Sequence, residues 1–294
     1  MTTIYIIIDD NIKNVAIEYA LSIKNKLQAQ IINISTDEYY IVKSLNNLSK
    51  YIFFGIKYTS YIRYYERDNL NSSNVFFVNL EPLTCNGFYS KYNFLEEVLM
   101  FHANYPFIKL LDYSQENVII LKSYNIYSTY LPYQCNYNEI INCEINHNIV
   151  NKTWDVVTCC SWCPRIENIF NNIPIYYNKF SIGNPVLWGN DRDNILFNSK
   201  IIINIHHRGN DYKILEELRV TRCILNKIIV ISEESIFPNI YPLSKYVIFV
   251  DYNNINEKVN DVLNNYEKYY NEIYKNFDVS NIDTLLTNYI ENTI

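Results

Sequence analysis

Short apolar runs alternate with longer amphipathic stretches along most of the chain, and that alternation predicts parallel sheet with crossover helices. The run from Ile4 to Ile8 predicts a buried strand. In the "NIKNVAIEYALSIKNKL" that follows, Val15, Ala16, Tyr19, Ala20 and Ile23 recur at helical spacing. Further strands are predicted at 30–34, 51–54, 74–79 and 117–121. Helical patterns fall near 36–49 and 89–103, the second ending before Pro106. A second series begins near Trp154, with strands at 154–159, 175–178, 200–205, 228–232 and 246–250. Its helices fall near 164–172, 211–226 and 254–275, and 279–292 reads as a terminal helix. The intervening "LPYQCNYNEIINCEINHNIVNKT" is polar and irregular and reads as a linker. Two α/β domains follow, 1–148 and 149–294, the second carrying the terminal helix. Ligands in such folds bind outside the carboxyl ends of the strands.

Composition narrows the field. The 294 residues are 49% hydrophobic and 19% charged, with a formal net charge of −6, which excludes a disordered chain. A dedicated nucleic-acid binder needs a surplus of Lys and Arg, and this chain has the opposite balance. No stretch approaches the ~20 apolar residues of a membrane helix. The opening "MTTIYIIIDD" lacks the basic region and cleavage site of a signal peptide. Seven cysteines without framework spacing suit reduced thiols. The expectation is therefore a soluble, cytoplasmic protein. The 29 Tyr against 5 Gly reads either as the codon bias of an A/T-rich genome or as an aromatic surface that stacks on sugars.

The most informative segment is "KIIINIHHRGNDYKILEELRVTRCILNKIIVISEES", residues 200–235. A buried strand ends in Asn204, His206 and His207, a short loop with Gly209 follows, and Asp211 can cap a helix. On that helix Glu216 and Arg219, three apart, share a face. A second strand runs out at Ser232, Glu233 and Glu234. Polar groups thus gather where two strands stop and a helix starts, which suits phosphate and ribose. A structural Glu-Arg pair beside a capped strand end would produce the same pattern.

These residues resemble a group of bacterial and giant-virus glycosyltransferases with the GT-B fold. The group's pattern can be written N-[IL]-H, E-x-x-R-[VI], V-[IV]-S-E, and "NIHH", Glu216-x-x-Arg219 and "VISE" match it. Other pieces follow in the family order: "FFVNLEPL" (76–83), "LLDYSQEN" (110–117), "YLPY" (130–133), "WDVVTCCSWCPRIENI" (154–169) and "LWGNDRDNILFNSKIIINIHH". The resemblance covers roughly residues 74–262 and implies two Rossmann-like domains facing a cleft. The implied activity is metal-independent transfer of a sugar from a nucleotide-sugar donor to a glycan or protein acceptor, with no cofactor. If the source is viral, the setting is the host cytoplasm.

By the same resemblance the donor is held by the C-terminal domain. Glu216 contacts ribose or sugar hydroxyls, and Arg219 pairs with phosphate or braces Glu216. A guanidinium suits phosphate through two parallel charge-assisted hydrogen bonds. His206 faces the diphosphate or sugar, Ser161 and Arg165 lie near the diphosphate, and Ser232 and Glu233 close the opposite side. On the acceptor side Glu81, Asp112 and Asn117 match family positions. Glu81, Asp112 and His206 are the candidate catalytic residues.

The chain departs from the family where Cys160 replaces a glycine and where Arg165-Ile166 replaces paired basic residues. The Cys160 departure, with the absence of glycine from the "DDNIKN" loop after the first strand, favours an alternative, a non-catalytic nucleotide- or glycan-binding protein that keeps the fold. Three further motifs compete. Cys160-x-x-Cys163 could be redox-active at a helix N-terminus. Asp191-Arg192-Asp193 has the D-x-D form of a GT-A metal site, or simply caps a short helix. Asp9-Asp10 ends the first strand, where a carboxylate could deprotonate an acceptor or cap the next helix.

Overall fold

The computed structural model describes residues 2–34, 48–55, 74–83, 94–147, 151–183, 186–207, 209, 213–291 and 293–294. The helix expected over 36–49 lies almost wholly outside these residues, as does the Asp211 cap. The chain divides into two compact units, Met1–Gln134 with Thr284–Ile294, and Cys135–Asp283.

The first unit holds six strands, β1 Ile4–Asp9, β2 Gln30–Ile34, β3 Lys50–Phe54, β4 Val75–Asn79, β5 Lys109–Asp112 and β6 Ser128–Tyr130. They form one sheet in the order β2-β1-β3-β4-β5-β6, parallel at every pairing. Every residue of β4 (VFFVN) is buried, as expected of a strand covered on both faces. Helix α1, Lys13–Leu27, buries Ala16, Tyr19, Ala20 and Ile23 along one stripe. Helix α2 spans Phe94–Asn104.

The strand expected at 117–121 is instead part of helix α3, Gln115–Ser123. Its apolar run is too short to distinguish the two periods. The deciding residue is Ser114, the N-cap, whose side chain accepts from Asn117 N–H. Burial of Glu116, Asn117, Ile120 and Leu121 then follows one helical face.

The second unit has β7 Trp154–Thr158, β8 Lys179–Ser181, β9 Ser199–Asn204, β10 Ile229–Glu233 and β11 Val247–Val250. They form a parallel sheet in the order β11-β10-β9-β7-β8. Its helices are α4 Tyr137–Asn146, α5 Pro164–Asn172, α6 Gly189–Leu196, α7 Glu217–Leu225, α8 Ile255–Asn264 and α9 Tyr266–Tyr274. Helix α10, Val279–Glu291, closes the chain. The α/β class and the two parallel sheets match the expectation. From β7 the sheet grows to β8 on one side and to β9 on the other. The carboxyl ends of β7 and β9 therefore flank a topological switch point, where ligands of such sheets bind.

Four further expectations are corrected. The strand placed at 175–178 falls at Lys179–Ser181, because Ile175 and Tyr176 are 95% and 74% exposed and bury nothing. The helix placed at 211–226 begins only at Glu217. The helix placed at 254–275 breaks at Asn265, whose backbone leaves the helical region at φ −125°, ψ 33°. The stretch read as an irregular linker contains α4, so the units part after Gln134 rather than at 148.

Helix α4 belongs to the second unit through buried charge. Arg222 Nε donates to Glu139 Oε2 at 3.0 Å and its Nη2 to Asp193 Oδ2 at 2.9 Å. Asn226 Nδ2 donates to Glu139 Oε1 at 3.1 Å. Residues after Thr284 group with the first unit, where Gln134 Nε2 donates to Leu286 O at 3.1 Å and Tyr130 meets Tyr289 edge-on. Among the described residues no helix is long and apolar enough to cross a membrane.

Removing one partner of a buried ion network strands the others without compensation. Arg222→Ala is expected to lower the unfolding free energy by about 3 kcal/mol in urea titration. Adding Glu139→Gln to that variant should recover part of the loss.

Candidate functional site

Glu233, the last residue of β10, is buried and holds the site together. Its Oε1 receives Arg165 Nη2 at 2.6 Å, and its Oε2 receives the backbone N–H of His206 at 3.1 Å. Arg165 lies in the first turn of α5, which opens with Pro164 at a position that needs no donor. Its Nε donates to His206 O at 3.2 Å. One carboxylate and one carbonyl thus fix the guanidinium in two bonds. The Arg165 side chain stays 30% exposed against 6% for Glu233, so the pair presents its cationic half outward.

The ring of Tyr252 lies 3.9 Å from Arg165 Cζ. Its hydroxyl donates to Arg165 O at 2.9 Å and accepts from Asn168 Nδ2 at 3.3 Å. Gly209, at φ +60°, approaches Arg165 so closely that a Cβ there would stand 3.1 Å from Nη1. Only a residue that tolerates the left-handed region and carries no side chain satisfies both conditions.

His206 follows the end of β9. Its Nε2 lies 3.0 Å from Glu234 O, which can only accept, so Nε2 carries the hydrogen. Burial holds this imidazole below its ordinary pKa, against the opposing effects of Glu233 and the Glu234 carbonyl. It is a neutral, oriented ring at neutral pH.

Arg219, in the first turn of α7, makes a second cluster. Its Nη1 donates to Asn204 Oδ1 at 2.9 Å and to Cys160 Sγ at 3.2 Å. Asn204 Nδ2 donates to Ser232 Oγ at 3.0 Å, and Ser232 Oγ donates to Glu233 O at 2.9 Å. Ser232 is fully buried and spends its hydroxyl on these partners, so it braces Asn204. Glu216 is the N-cap residue of α7, partly exposed, and its carbonyl accepts from Arg219 N–H at 3.1 Å. It stands at the mouth of the helix rather than on its face. Ser161 is exposed on the loop after β7. That loop packs tightly, since a Cβ on Gly183 would fall 2.1 Å from Cys160 O.

Of the donor-side residues expected from the sequence, Arg165, His206 and Glu233 come together directly, and Arg219 and Ser232 meet through Asn204. Tyr252 was not foreseen. Its signal was an aromatic two residues past a strand end, hidden among 29 tyrosines. The competing motifs are placed as well. Cys160 and Cys163 are buried free thiols. Asp193 receives Arg192 and Arg222 on its two oxygens. Asp9 is the last residue of β1 and buried, and Asp10 opens a short 3₁₀ turn. No side-chain cap bond forms at the start of α1.

Glu81 and Asp112 lie in the first unit and share one hydrogen-bonded knot. Asn79 Oδ1 accepts from Glu81 N–H at 3.1 Å, which turns its amide nitrogen toward Asp112 Oδ2 at 2.8 Å. Asn117 Oδ1 accepts from Leu83 N–H at 2.8 Å, which turns its nitrogen toward Asp112 Oδ1 at 2.9 Å. Both amide nitrogens also donate to Glu81 O, at 2.8 and 3.0 Å. Ser114 N–H is a third donor to Asp112, at 2.9 Å. Asp112 is fully buried and surrounded by donors. It pins the segment after β4, and Glu81 is the more accessible of the two carboxylates.

Burial pushes the Asp112 carboxyl up to about 7, with Asn79, Ser114 and Asn117 opposing. An unfolded aspartate ionises at about 3.9, so between these values the folded chain binds more protons. Stability from this group is greatest at low pH and is lost as pH rises toward 7. In Asp112→Asn that dependence should flatten, on a lower overall stability because an amide donor then faces Asn or Ser114 donors. Urea unfolding of both proteins at pH 5 and pH 7.5 measures it.

No family model matches the chain. An uncharacterized protein of Acanthamoeba polyphaga mimivirus is 33% identical over 191 residues, covering 63% of this chain and 63% of its own length. Two more uncharacterized proteins of that virus are 31% identical over 165 and 170 residues, 55% of this chain and 22% and 18% of their own lengths. The match thus spans less than two thirds of each of these relatives. Among solved structures, an α1,3-fucosyltransferase is similar at TM-score 0.43 and 12% identity, covering 100% of this chain and 91% of its own. An α1,3-fucosyltransferase with GDP scores 0.40 at 13% identity, covering 93% and 82%. An α1,3-fucosyltransferase with GDP-fucose scores 0.35 at 12% identity, covering 93% and 82%.

Proposed function

We propose that the chain is a glycosyltransferase that moves a sugar from a nucleotide-sugar donor to a glycan or protein acceptor without a metal. The observation that carries this reading is the set of polar groups at the switch point of the second unit. There Arg165 and Arg219, from the first turns of α5 and α7, meet Asn204, His206 and Glu233 at the ends of β9 and β10. The family resemblance of residues 74–262 points to the same positions.

A departing nucleoside diphosphate carries charge that something must offset. Two guanidinium groups and the positive end of the α7 dipole can do so by position alone. Arg165 is held ready, so it needs no rearrangement at the moment of reaction. Glu216, at the mouth of α7, is placed to accept from ribose or sugar hydroxyls. On the acceptor side Glu81 is the candidate base, its backbone held by the Asp112 knot, and Asp112 itself is assigned to that support.

A second reading, a nucleotide- or glycan-binding protein without turnover, has one observation in its favour. The Cys160 thiol occupies Arg219 Nη1, so that guanidinium is already partly engaged.

Thermal unfolding with UDP, GDP, CMP and their sugars, with and without Mg²⁺ or Mn²⁺, tests both. At least one nucleotide should raise the midpoint without metal, by the equivalent of ~2.7 kcal/mol at a hundredfold excess over Kd. Glu216→Ala is expected to weaken that nucleotide-sugar about tenfold, the scale of one charge-assisted hydrogen bond. No shift with any nucleotide would remove the proposed activity. A shift without sugar transfer or donor hydrolysis would select the binding protein.

A further inference from the structure

Arg165 has five N–H bonds and spends two of them, one from Nε on His206 O and one from Nη2 on Glu233. Nη1 carries neither, and it is the nitrogen nearest Gly209, where the missing side chain leaves room. The unspent donors are therefore those of Nη1 and the second N–H of Nη2, which include the Nη1–Nη2 edge, in a side chain that is 30% exposed. One face of the same group is covered by the Tyr252 ring at 3.9 Å. That ring is itself anchored, because its hydroxyl bonds to Arg165 O and to Asn168 in the next turn of α5.

This geometry has a chemical consequence. Glu233 neutralises much of the Arg165 charge, and on that account alone the guanidinium would turn both nitrogens into the carboxylate. A ring stacked on its face holds the plane and adds its negative quadrupole to the stabilisation of the cation. The two bonds and the stack together leave an edge of parallel N–H groups, the arrangement that suits phosphoryl oxygens.

We propose that Tyr252 is a positioning residue, which by stacking on Arg165 presents the Nη1–Nη2 edge to the phosphoryl groups of a nucleoside diphosphate. This rests on the donor-site reading given above. Tyr252 acts through Arg165 and makes no bond to the base or sugar. Its hydroxyl sets where the ring sits, and its face does the positioning.

The test compares wild type, Tyr252→Leu and Tyr252→Phe by calorimetric titration with three probes. These are the nucleoside diphosphate that stabilises the protein most, the matching nucleoside, and inorganic pyrophosphate. Tyr252→Leu should lose about tenfold in affinity for the diphosphate and for pyrophosphate, with the nucleoside unchanged. Tyr252→Phe keeps the stacked face and should stay within about threefold of wild type on all three. Where the leucine variant is poorly folded by circular dichroism, Tyr252→Met fills similar space without an aromatic face and takes its place. Wild-type affinities in the leucine or methionine variant would overturn the inference and leave the donor site standing. Equal losses on nucleoside and diphosphate would also overturn it, since a merely structural residue behaves that way. A wild-type protein that binds no nucleoside diphosphate would remove both the donor site and the role of Tyr252.

Discussion

The second unit depends on what Glu233 does at the end of β10. A parallel sheet leaves the side chains of its last residues beside a crevice, and something has to tie those ends down. Glu233 does so by receiving Arg165 from α5 and the backbone of His206 from the exit of β9. A buried carboxylate is costly unless charged partners and hydrogen bonds satisfy it, and here both oxygens are met. The same pairing leaves Arg165 outward and oriented. Stability of the strand ends and readiness of the cation are thus one arrangement, and Ser232, Asn204 and Arg219 extend it to the mouth of α7.

The first unit solves the corresponding problem with a knot around Asp112 at the end of β5. The sequence segments that resemble a family pattern, Asn79-x-Glu81 and Asp112-Tyr113-Ser114-x-x-Asn117, turn out to be the two halves of this knot. Each Asn amide is oriented by a backbone N–H, so their nitrogens have no choice but to face Asp112. Residues that the pattern offered as chemical groups therefore divide into a support, Asp112 with its amides, and an accessible carboxylate, Glu81.

Strands were legible where both faces are buried, as in β4 and β9, because a short β-branched or aromatic run has few other uses. Reading failed where that signal is imitated or absent. The run at 118–121 is apolar, but Ser114 caps it into a helix. The "IYY" of 175–177 is apolar and yet largely exposed. Helix α4 looked like a linker because its fixed side chain is a charge, Glu139, whose partner Arg222 lies far along the chain. In the site, charged residues at strand ends were visible from spacing, whereas Tyr252 was not. Tyr19, Tyr51, Tyr113, Tyr133 and Tyr241 are among the largest fully buried side chains, so part of the tyrosine content fills cores. The few glycines proved the sharper clue, since Gly209 makes space for Arg165 and Gly183 for the loop at Cys160.

The central claim is that a nucleotide's phosphates are held at the strand ends of the second unit. Hydrogen–deuterium exchange of the full chain, with and without a saturating nucleoside diphosphate, addresses it most directly. Slowed exchange is predicted in 158–166, 204–207, 216–221, 232–235 and 250–254, with the Asn79–Asp112–Asn117 segments unchanged by the nucleotide alone. Slowing confined to the first unit, or to helices of the second unit remote from those strand ends, would contradict the account.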